Sequence, residues 1–246
     1  MNYISQNNHL KKLLISTPSI PGWLSPKEGS FLYKKARKVP GNGVVVEIGS
    51  YCGKSTIFLG SGLRRNKLAR FYAIDPHIGS PEKEGEYRNI NTFPQFQDNI
   101  RKFGLEEKVI AIKKTSEEAS ENFLEKIDLL FIDGSHLEED VKKDLKNWLP
   151  KVKKGGIVSV HDVTSLPGPW QIAKKNIFFS PSFKKIGLVG SILFATFDQS
   201  KSLTIKLKNR FLNFFSYLFV ICYVRMRKMK KTISNFQTIS KQFPRL

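Results

Sequence analysis

Five short runs of apolar residues alternate with helical patterns, and this alternation limits the fold of the 246-residue chain more than any other feature. The runs begin at residues 44, 70, 108, 127 and 155 and read VVVEI, RFYAID, KVIAIKK, IDLLFID and GGIVSVHD. Strands separated by helices at this spacing predict an α/β fold with a doubly wound, mostly parallel sheet. Two later runs, FKKIGLVG and SILFATF, predict an antiparallel pair of strands that closes the sheet.

A helix precedes the first strand, and a long loop follows the second. Ser25 as N-cap, Pro26 at the first helical position and Glu28 form a capping box, which predicts a helix over about residues 26–39. Residues 76–94 are rich in Pro, Gly and charge, so we expect a long loop, and such loops are often functional. The candidates for a lid in this loop, against the alternative of an exposed connection, are Tyr87, Arg88 and Phe93.

The ends of the predicted strands carry polar residues. In a doubly wound sheet the ligand lies beyond the carboxyl ends of the strands. The residues expected at those ends are Glu47, Gly49, Asp75, Thr115, Ser116, Asp133, His136, His161 and Asp162. We therefore expect one site that these residues share.

The turn after the first strand, EIGSYCGKST, limits the choice of ligand. A P-loop has four residues between its glycines, whereas three separate Gly49 from Gly53. The P-loop alternative stays open because LLFID resembles the acidic strand end that holds magnesium. The dinucleotide fingerprint fails because Tyr51 stands where a glycine must admit a pyrophosphate. S-adenosylmethionine (SAM) has no phosphate and carries a sulfonium and an ammonium group, so Glu47 and Asp75 suit it best.

Five segments between about residues 20 and 197 occur in an order and spacing typical of one enzyme family. They read IPGWLSPKEGSFLYKKAR, VVVEIGSYCGKST, AIDPH, IDLLFIDGSH and WLPKVKKGGIVSVHD. Together they resemble class I methyltransferases of the macrocin O-methyltransferase and cephalosporin-hydroxylase-like group. The resemblance implies a seven-stranded Rossmann-like sheet with helices on both faces, and transfer of a methyl group from SAM to an oxygen, often of a sugar or antibiotic.

The resemblance also implies roles for individual residues. The positions implied for cofactor binding are Glu47, Gly49, Ser50, Gly53, Asp75, Ser116 and Asp133, with Asp75 at the ribose and Ser116 near the adenine. His136 matches the general base, and Asp133 is implied to be catalytic as well. Several members use a divalent metal, Mg²⁺ or Mn²⁺, and the matching positions are Asp133, Asp162 and His161.

One of these positions departs from the family pattern. Metal-dependent members carry an acid where this chain has His161, and magnesium prefers oxygen ligands. Either His161 is not a ligand, or the metal is a softer ion such as Mn, Fe or Zn. The chemistry itself is general: a divalent ion stabilises an alkoxide, and His136, with an unperturbed pKa of about 6.5, suits proton removal near neutrality.

The C-terminal residues differ in charge from the rest of the chain. The net charge is +20, all acidic residues lie at or before Asp198, and residues 201–246 carry eleven Lys and Arg. We therefore predict a methyltransferase domain over residues 1–200 and a basic tail over 201–246. Within the tail, Phe211 to Val224 is apolar and too short to span a membrane, since a span needs about 20 residues. Its basic flanks favour a helix on an anionic membrane surface.

The sequence predicts a SAM-dependent O-methyltransferase, metal-assisted, acting on a hydroxyl of a saccharide, glycoconjugate or similar small molecule. The alternatives are a nucleic-acid methyltransferase that uses the basic tail, although no RNA-binding motif is evident, and a SAM-binding interaction module without activity. We expect a cytoplasmic protein, peripheral on the inner membrane face, because only two cysteines and no signal peptide are evident. We expect His77 to be exposed, and Trp170 either to pack internally or to line the acceptor pocket.

Overall fold

The computed structural model describes residues 2–79, 90–200 and 202–242. Eight helices and seven strands are found in these residues. The helices are α1 (Asn2–Ser16), α2 (Pro26–Ala36), α3 (Lys54–Leu63), α4 (Phe93–Lys102), α5 (Ser116–Glu121), α6 (Glu138–Trp148), α7 (Pro167–Ala173) and α8 (Leu203–Gln242). The strands are β1 (Val44–Ile48), β2 (Arg70–Ile74), β3 (Val109–Ile112), β4 (Ile127–Ile132), β5 (Val152–Val160), β6 (Phe183–Val189) and β7 (Ile192–Phe197).

All seven strands form one sheet in the order β3-β2-β1-β4-β5-β7-β6. The first five strands pair in parallel, whereas β7 pairs antiparallel with both β5 and β6. The order reverses at β1, which lies between β2 and β4, so the switch point of the sheet falls at the glycine turn. The predicted Rossmann-like fold, including the antiparallel pair at the edge, is confirmed.

Helices cover both faces of the sheet because its central strands are apolar on both sides. Every residue of β1 is buried, as a parallel strand between two helical layers requires. One apolar cluster joins one face to α1, α2, α3 and α4, and the other joins the opposite face to α6, α7 and α8. Trp148 of α6 is fully buried in the second cluster, where it anchors α6 against the sheet.

Several elements differ from their predicted bounds. α1 and α7 were not predicted as helices, and α7 continues into a π-helical turn over Lys174–Phe178. β5 begins at Val152, before its glycine pair, rather than at residue 155. Two of the lid candidates, Tyr87 and Arg88, lie outside the described residues, and the third, Phe93, is the first residue of α4.

Helix α8 buries two asparagines against the domain and exposes a group of apolar residues to solvent. Asn209 and Asn213 are buried, and the Asn213 amide donates to the carbonyl oxygens of Ser180 at 3.1 Å and Phe183 at 2.9 Å. The exposed side chains of the same helix include Phe211, Phe214, Phe215, Leu218 and Phe219. Although α8 also buries Val220, this exposed apolar group is unusual for a surface helix, which normally buries its apolar stripe.

Candidate active site

The carboxyl ends of the parallel strands open into a cavity of about 900 Å³. Its volume falls within the range of about 300–1,000 Å³ that is usual for ligand sites. The predicted site residues that line it are Gly49, Ser50, Asp75, Ser116, Asp133, His136, His161 and Asp162. Two predicted residues, Glu47 and Gly53, are not among its lining residues.

The glycine turn is tight because three of its residues, Gly49, Tyr51 and Gly53, have positive φ. Gly49 has φ +85°, and a Cβ there would lie 2.2 Å from the backbone oxygen of Asp133. Gly53 has φ +86° and precedes the first residue of α3. Glycine adopts such angles without the steric cost that a side chain brings. Gly49 therefore lets β1 and β4 end side by side, while Gly53 turns the chain into α3.

Glu47 lies beneath the glycine turn and has no access to solvent. Its Oε2 accepts a hydrogen bond from the Thr56 hydroxyl at 2.6 Å, and its Oε1 has no hydrogen-bond partner in the described parts of the chain. Burial raises the pKa of Glu47 to about 8. The side chain is therefore protonated at neutral pH and does not present to the cavity the negative charge that we expected beside a cationic cofactor.

Asp75 connects the ends of β1 and β2. Its Oδ2 accepts from the backbone N–H of Tyr51 at 2.7 Å, and its Oδ1 accepts from that of His77 at 2.6 Å. A carboxylate oxygen has two lone pairs, so Asp75 keeps acceptor capacity toward the cavity that it lines. This capacity fits the predicted contact with two ribose hydroxyls.

Two serines complete this half of the cavity. Ser50 is buried, and its hydroxyl has no partner in the portions of the chain that the structure describes. Ser116, at the start of α5, accepts a hydrogen bond from Trp148 Nε1 at 2.8 Å and lines the cavity. Buried polar groups are normally satisfied, so the Ser50 hydroxyl is a candidate ligand contact.

Asp133, His136 and Asp162 converge at the other end of the cavity, which we call the catalytic corner. The corner forms where β4 and β5 end, and one ligand atom from each of these residues lies within 4.8 Å of the others, a geometry that could hold a metal ion. His136 Nε2 is 3.2 Å from Asp162 Oδ2. Asp162 has φ +55°, an uncommon conformation for a residue with a side chain, and such strain clusters at functional sites.

His161 lies behind the corner and contacts three carboxylates. Its Nδ1 is 2.9 Å from Asp133 Oδ1 and 3.4 Å from Asp162 Oδ2, and its Nε2 is 3.6 Å from Glu28 Oε1. Burial alone would lower the pKa of His161, but the three carboxylates raise it to about 12. An imidazolium has no lone pair to offer a metal. The group that could hold an ion leaves His161 out.

The ion pairs also fix the charge of the carboxylates. Burial would raise the pKa of Asp162, but hydrogen bonds from His136 and His161 hold it well below its usual range. The pKa of Glu28 is lowered to about 2, because the nearby His161 imidazole and hydrogen bonds from Ser191 and Ser25 outweigh its burial. Both carboxylates are therefore ionised at neutral pH.

Glu28 is one residue of this site that the sequence pattern did not reveal. Its position in a capping box accounted for it fully, and the box is present, with Ser25 and Glu28 bonded reciprocally. Its contact with Ser191, 163 residues later in the chain, has no counterpart in any local pattern.

Two further expectations are settled by burial and contacts. His77 is buried, not exposed, because its Nδ1 is 2.8 Å from the Thr92 hydroxyl and its ring packs against Phe93 and Phe96. Trp170 packs internally, since its ring stacks on Tyr217 of α8 at 6.0 Å and it is not a lining residue of the cavity.

With the fold and the cavity described, comparison with known proteins assigns the family. A family model described as a methyltransferase domain matches residues 46–163, which contain the glycine turn, Asp75 and the whole catalytic corner. This chain carries a methyltransferase domain. The match confirms the methyltransferase family that the sequence motifs predict.

One curated relative and several solved structures resemble parts of this chain. The relative is the uncharacterized protein y4gI of Sinorhizobium fredii, 40% identical over 122 residues, which are 48% of this chain and 13% of that protein. The O-methyltransferase NovP superposes with a TM-score of 0.59 at 20% identity, covering 71% of this chain and 81% of NovP. TomG of Streptomyces achromogenes, solved with SAM, gives 0.55 at 15% identity and covers 77% and 89%. An O-methyltransferase of Bacillus cereus gives 0.54 at 18% identity and covers 78% and 91%. At these identities the structures show a shared fold.

Proposed function

We propose that this protein is a SAM-dependent O-methyltransferase that transfers a methyl group to a hydroxyl of a saccharide, glycoconjugate or similar small molecule. The observation that carries the proposal is the single cavity that joins the glycine turn to the catalytic corner. One end offers acceptors for a ribose and an unpartnered hydroxyl, and the other offers a base with ionised carboxylates. Cofactor and acceptor can therefore meet within one space.

The fit of SAM rests on the charge and shape of the turn. The turn is one residue shorter than a P-loop, so its backbone N–H groups do not form the ring that binds a triphosphate. Asp75 would accept from the ribose hydroxyls, Gly49 would admit the cofactor close to the backbone, and Ser50 would gain a partner for its hydroxyl. NovP is an O-methyltransferase, and TomG was solved with SAM, which supports the same cofactor and reaction here.

In the proposed reaction, the acceptor oxygen attacks the methyl carbon of SAM. The O–C bond forms, the C–S bond breaks with its electron pair on sulfur, and the hydroxyl proton passes to His136. Asp162, whose Oδ2 lies 3.2 Å from His136 Nε2, stabilises the imidazolium that results. A base positioned in this way contributes roughly 10²–10⁴-fold to the rate.

We propose that a divalent metal assists this step. Asp133 and Asp162 would hold it, because Mg²⁺ is commonly bound by one or two carboxylates together with water and substrate oxygens. The metal would lower the pKa of the bound acceptor hydroxyl. We assign His136 to the base and not to the metal, although its geometry permits either role. His161 we remove from the ligand set, because both its nitrogens face carboxylates.

Titration calorimetry with SAM, with ATP and NAD as controls, tests the cofactor, and transfer of labelled methyl from SAM to a panel of saccharides and phenols tests the reaction. We expect SAM alone to bind, and chelation with EDTA to lower transfer until Mn²⁺ or Mg²⁺ is restored. Binding of ATP, or no transfer to any acceptor, would contradict the proposal. Retained transfer would exclude the alternative of an inactive SAM-binding module.

His136→Ala separates its two possible roles. As a base, its loss should reduce turnover at least about 10²-fold while Mn²⁺ affinity, followed by electron paramagnetic resonance, stays unchanged. As a ligand, its loss should weaken Mn²⁺ binding as well. His9→Ala, which removes a histidine outside the cavity, is the control for both measurements.

We further propose that residues 201–246 form a separate functional segment that attaches the enzyme to the cytoplasmic face of an anionic membrane. Support comes from the exposed apolar side chains of α8 and from the absence of acidic residues after Asp198. In the described part of the chain, no helix is long and apolar enough to cross a membrane. An interfacial helix inserts its apolar face at the headgroup level and places basic residues near anionic lipids.

Flotation with vesicles of phosphatidylglycerol and phosphatidylcholine tests the attachment. Replacing Phe211, Phe215 and Phe219 with serine removes one stripe of exposed apolar residues at helical spacing, and we expect the variant to stop floating. The matched control replaces Ile15, Leu68 and Leu124, which are also exposed but lie outside α8. Equal flotation of the stripe variant and the wild type would contradict the proposal. Binding of the wild-type protein to RNA as strongly as to the vesicles would contradict it as well.

A further inference from the structure

Glu28 is held by more contacts than a helix cap requires. Its Oε2 accepts from the Ser25 backbone N–H at 2.8 Å and from the Ser25 hydroxyl at 2.6 Å, which completes the capping box. Its Oε1 plays no part in the cap. That oxygen accepts from the backbone N–H of Ser191 at 2.6 Å and from the Ser191 hydroxyl at 2.8 Å.

The turn between β6 and β7 is shaped to receive this side chain. Gly190 has φ +64°, and a Cβ at that position would lie 2.3 Å from Glu28 Oε1. The glycine therefore lets the Ser191 N–H approach the carboxylate. Glu28 is only 4% exposed, so a buried charge lies where α2, the β6–β7 turn and the end of β5 meet. An ionised carboxylate is costly to bury unless it is paired and hydrogen-bonded.

The charge partner of Glu28 is His161. The distance from Glu28 Oε1 to His161 Nε2 is 3.6 Å, and that nitrogen is buried with no hydrogen-bond partner in the described segments. On the opposite side of the ring, Nδ1 is 2.9 Å from Asp133 Oδ1. A ring flip would exchange both nitrogens for carbons and lose both contacts. Glu28 and Asp133 therefore fix the imidazole from opposite sides.

We propose that Glu28 is a positioning residue of the active site: it holds His161, and through His161 it sets the orientation of Asp133 and Asp162. This inference rests on the proposed function, in which those two aspartates act on the acceptor hydroxyl. It gives the helix before the first strand a part in catalysis, although that helix lies outside the matched domain of residues 46–163. A supporting hydrogen-bond partner of this kind orients the groups that do the chemistry.

The chain contains a matched control for the test variant. Glu28→Gln removes the charge but keeps the size of the side chain. Glu118 occupies the same position in a second capping box, with Thr115 at the start of α5, and it is exposed. Glu118→Gln therefore weakens a cap of the same chemistry without touching His161. A loss that both variants share is due to capping alone.

Two readouts test the positioning role. The chain has four histidines with two ring nitrogens each, so labelling with ¹⁵N-histidine gives four pairs of ring signals, and His161→Asn assigns the pair from His161. We expect Glu28→Gln to shift or broaden the ring signals of His161 and to lower turnover about 10- to 100-fold, with SAM affinity changed less than about threefold. Glu118→Gln should change neither the signals nor the turnover.

Unchanged His161 signals in Glu28→Gln would overturn the inference, and so would equal losses of turnover in the two variants. Failure of the proposed function gives a different result. If the wild-type protein binds no SAM and transfers no methyl group, the proposed activity is wrong, whereas the ring signals still report whether Glu28 holds His161. The two failures are therefore distinguishable in one set of samples.

Discussion

The two ends of the cavity handle buried charge in opposite ways. Beneath the glycine turn, Glu47 is fully buried beside the hydroxyls of Ser55 and Thr56, and its pKa rises to about 8. Behind the catalytic corner, Glu28 is almost as buried, but His161 and four donor groups of Ser191 and Ser25 surround it, and its pKa falls to about 2. A buried glutamate is thus neutral at one end of the cavity and charged at the other. Burial alone does not decide the charge; the donors and counter-charges around the carboxylate do.

The largest effects should separate the two ends by function. Asp133→Asn keeps an acceptor for His161 but removes the charge at the corner, so we expect turnover to fall about 10³-fold, roughly 4 kcal/mol, with SAM affinity nearly unchanged. Asp75→Asn places an amide donor against a backbone N–H, of Tyr51 or His77, and we expect SAM affinity to fall at least about tenfold. Calorimetry measures the SAM affinity of both variants, and methyl-transfer assays measure their turnover. If both changes affect the same quantity, the division into two ends is wrong.

A second effect should appear in stability at the place where the two ends touch. Gly49→Ala combines positive φ with a contact of 2.2 Å to the backbone of Asp133, and we expect a loss of about 3 kcal/mol in the free energy of unfolding. Urea denaturation measures it.

Two other glycines separate the causes of that loss. Gly155 has φ +87° with open space around it, and Gly155→Ala should cost about 1 kcal/mol from the backbone angle alone. Gly41 has neither constraint, and Gly41→Ala should change stability by less than about 0.5 kcal/mol. Equal losses for Gly49→Ala and Gly155→Ala would mean that the close approach to Asp133 contributes nothing.

A third effect is a change in the pH dependence of stability. Folded Glu47 keeps its proton up to about pH 8, whereas the unfolded chain releases it above its ordinary value of 4.5. The folded state therefore binds more protons between these values, and this residue lowers the free energy of unfolding as pH rises through that window. Glu47→Gln should remove this slope, so its stability relative to wild type should grow by about 1 kcal/mol per pH unit up to pH 8 and then level off.

Urea denaturation between pH 5 and 9 measures the slope, with Glu121→Gln as the control at an exposed acid. A constant difference between Glu47→Gln and wild type across this range would show that Glu47 is ionised in the folded protein. The contrast between the two ends of the cavity would then disappear.

Local patterns predicted the fold because each strand and its turn carry their own signal. Continuous β-branched runs indicate buried strands, and Gly49 and Gly53 indicate the turn that follows β1. The same patterns placed Asp133, His136 and Asp162 at neighbouring strand ends, and these residues do meet. Side-chain surroundings did not follow from position in this way. His77 follows β2 and is covered by α4, whereas Glu47 lies near the end of β1 and under α3.

The sequence by itself determined the sheet, the cavity at its carboxyl edge and the identity of the residues at each strand end, because these depend on periodicity and on strand order. Only the tertiary structure decided which of those side chains are charged and which are held in one orientation by neighbouring groups. Glu28 reaches His161 from a helix 133 residues earlier in the chain, and its oxygen is satisfied by a turn after β6. The charge of a buried group depends on donors and counter-charges within a few ångströms, and folding brings these together from segments that no local pattern connects.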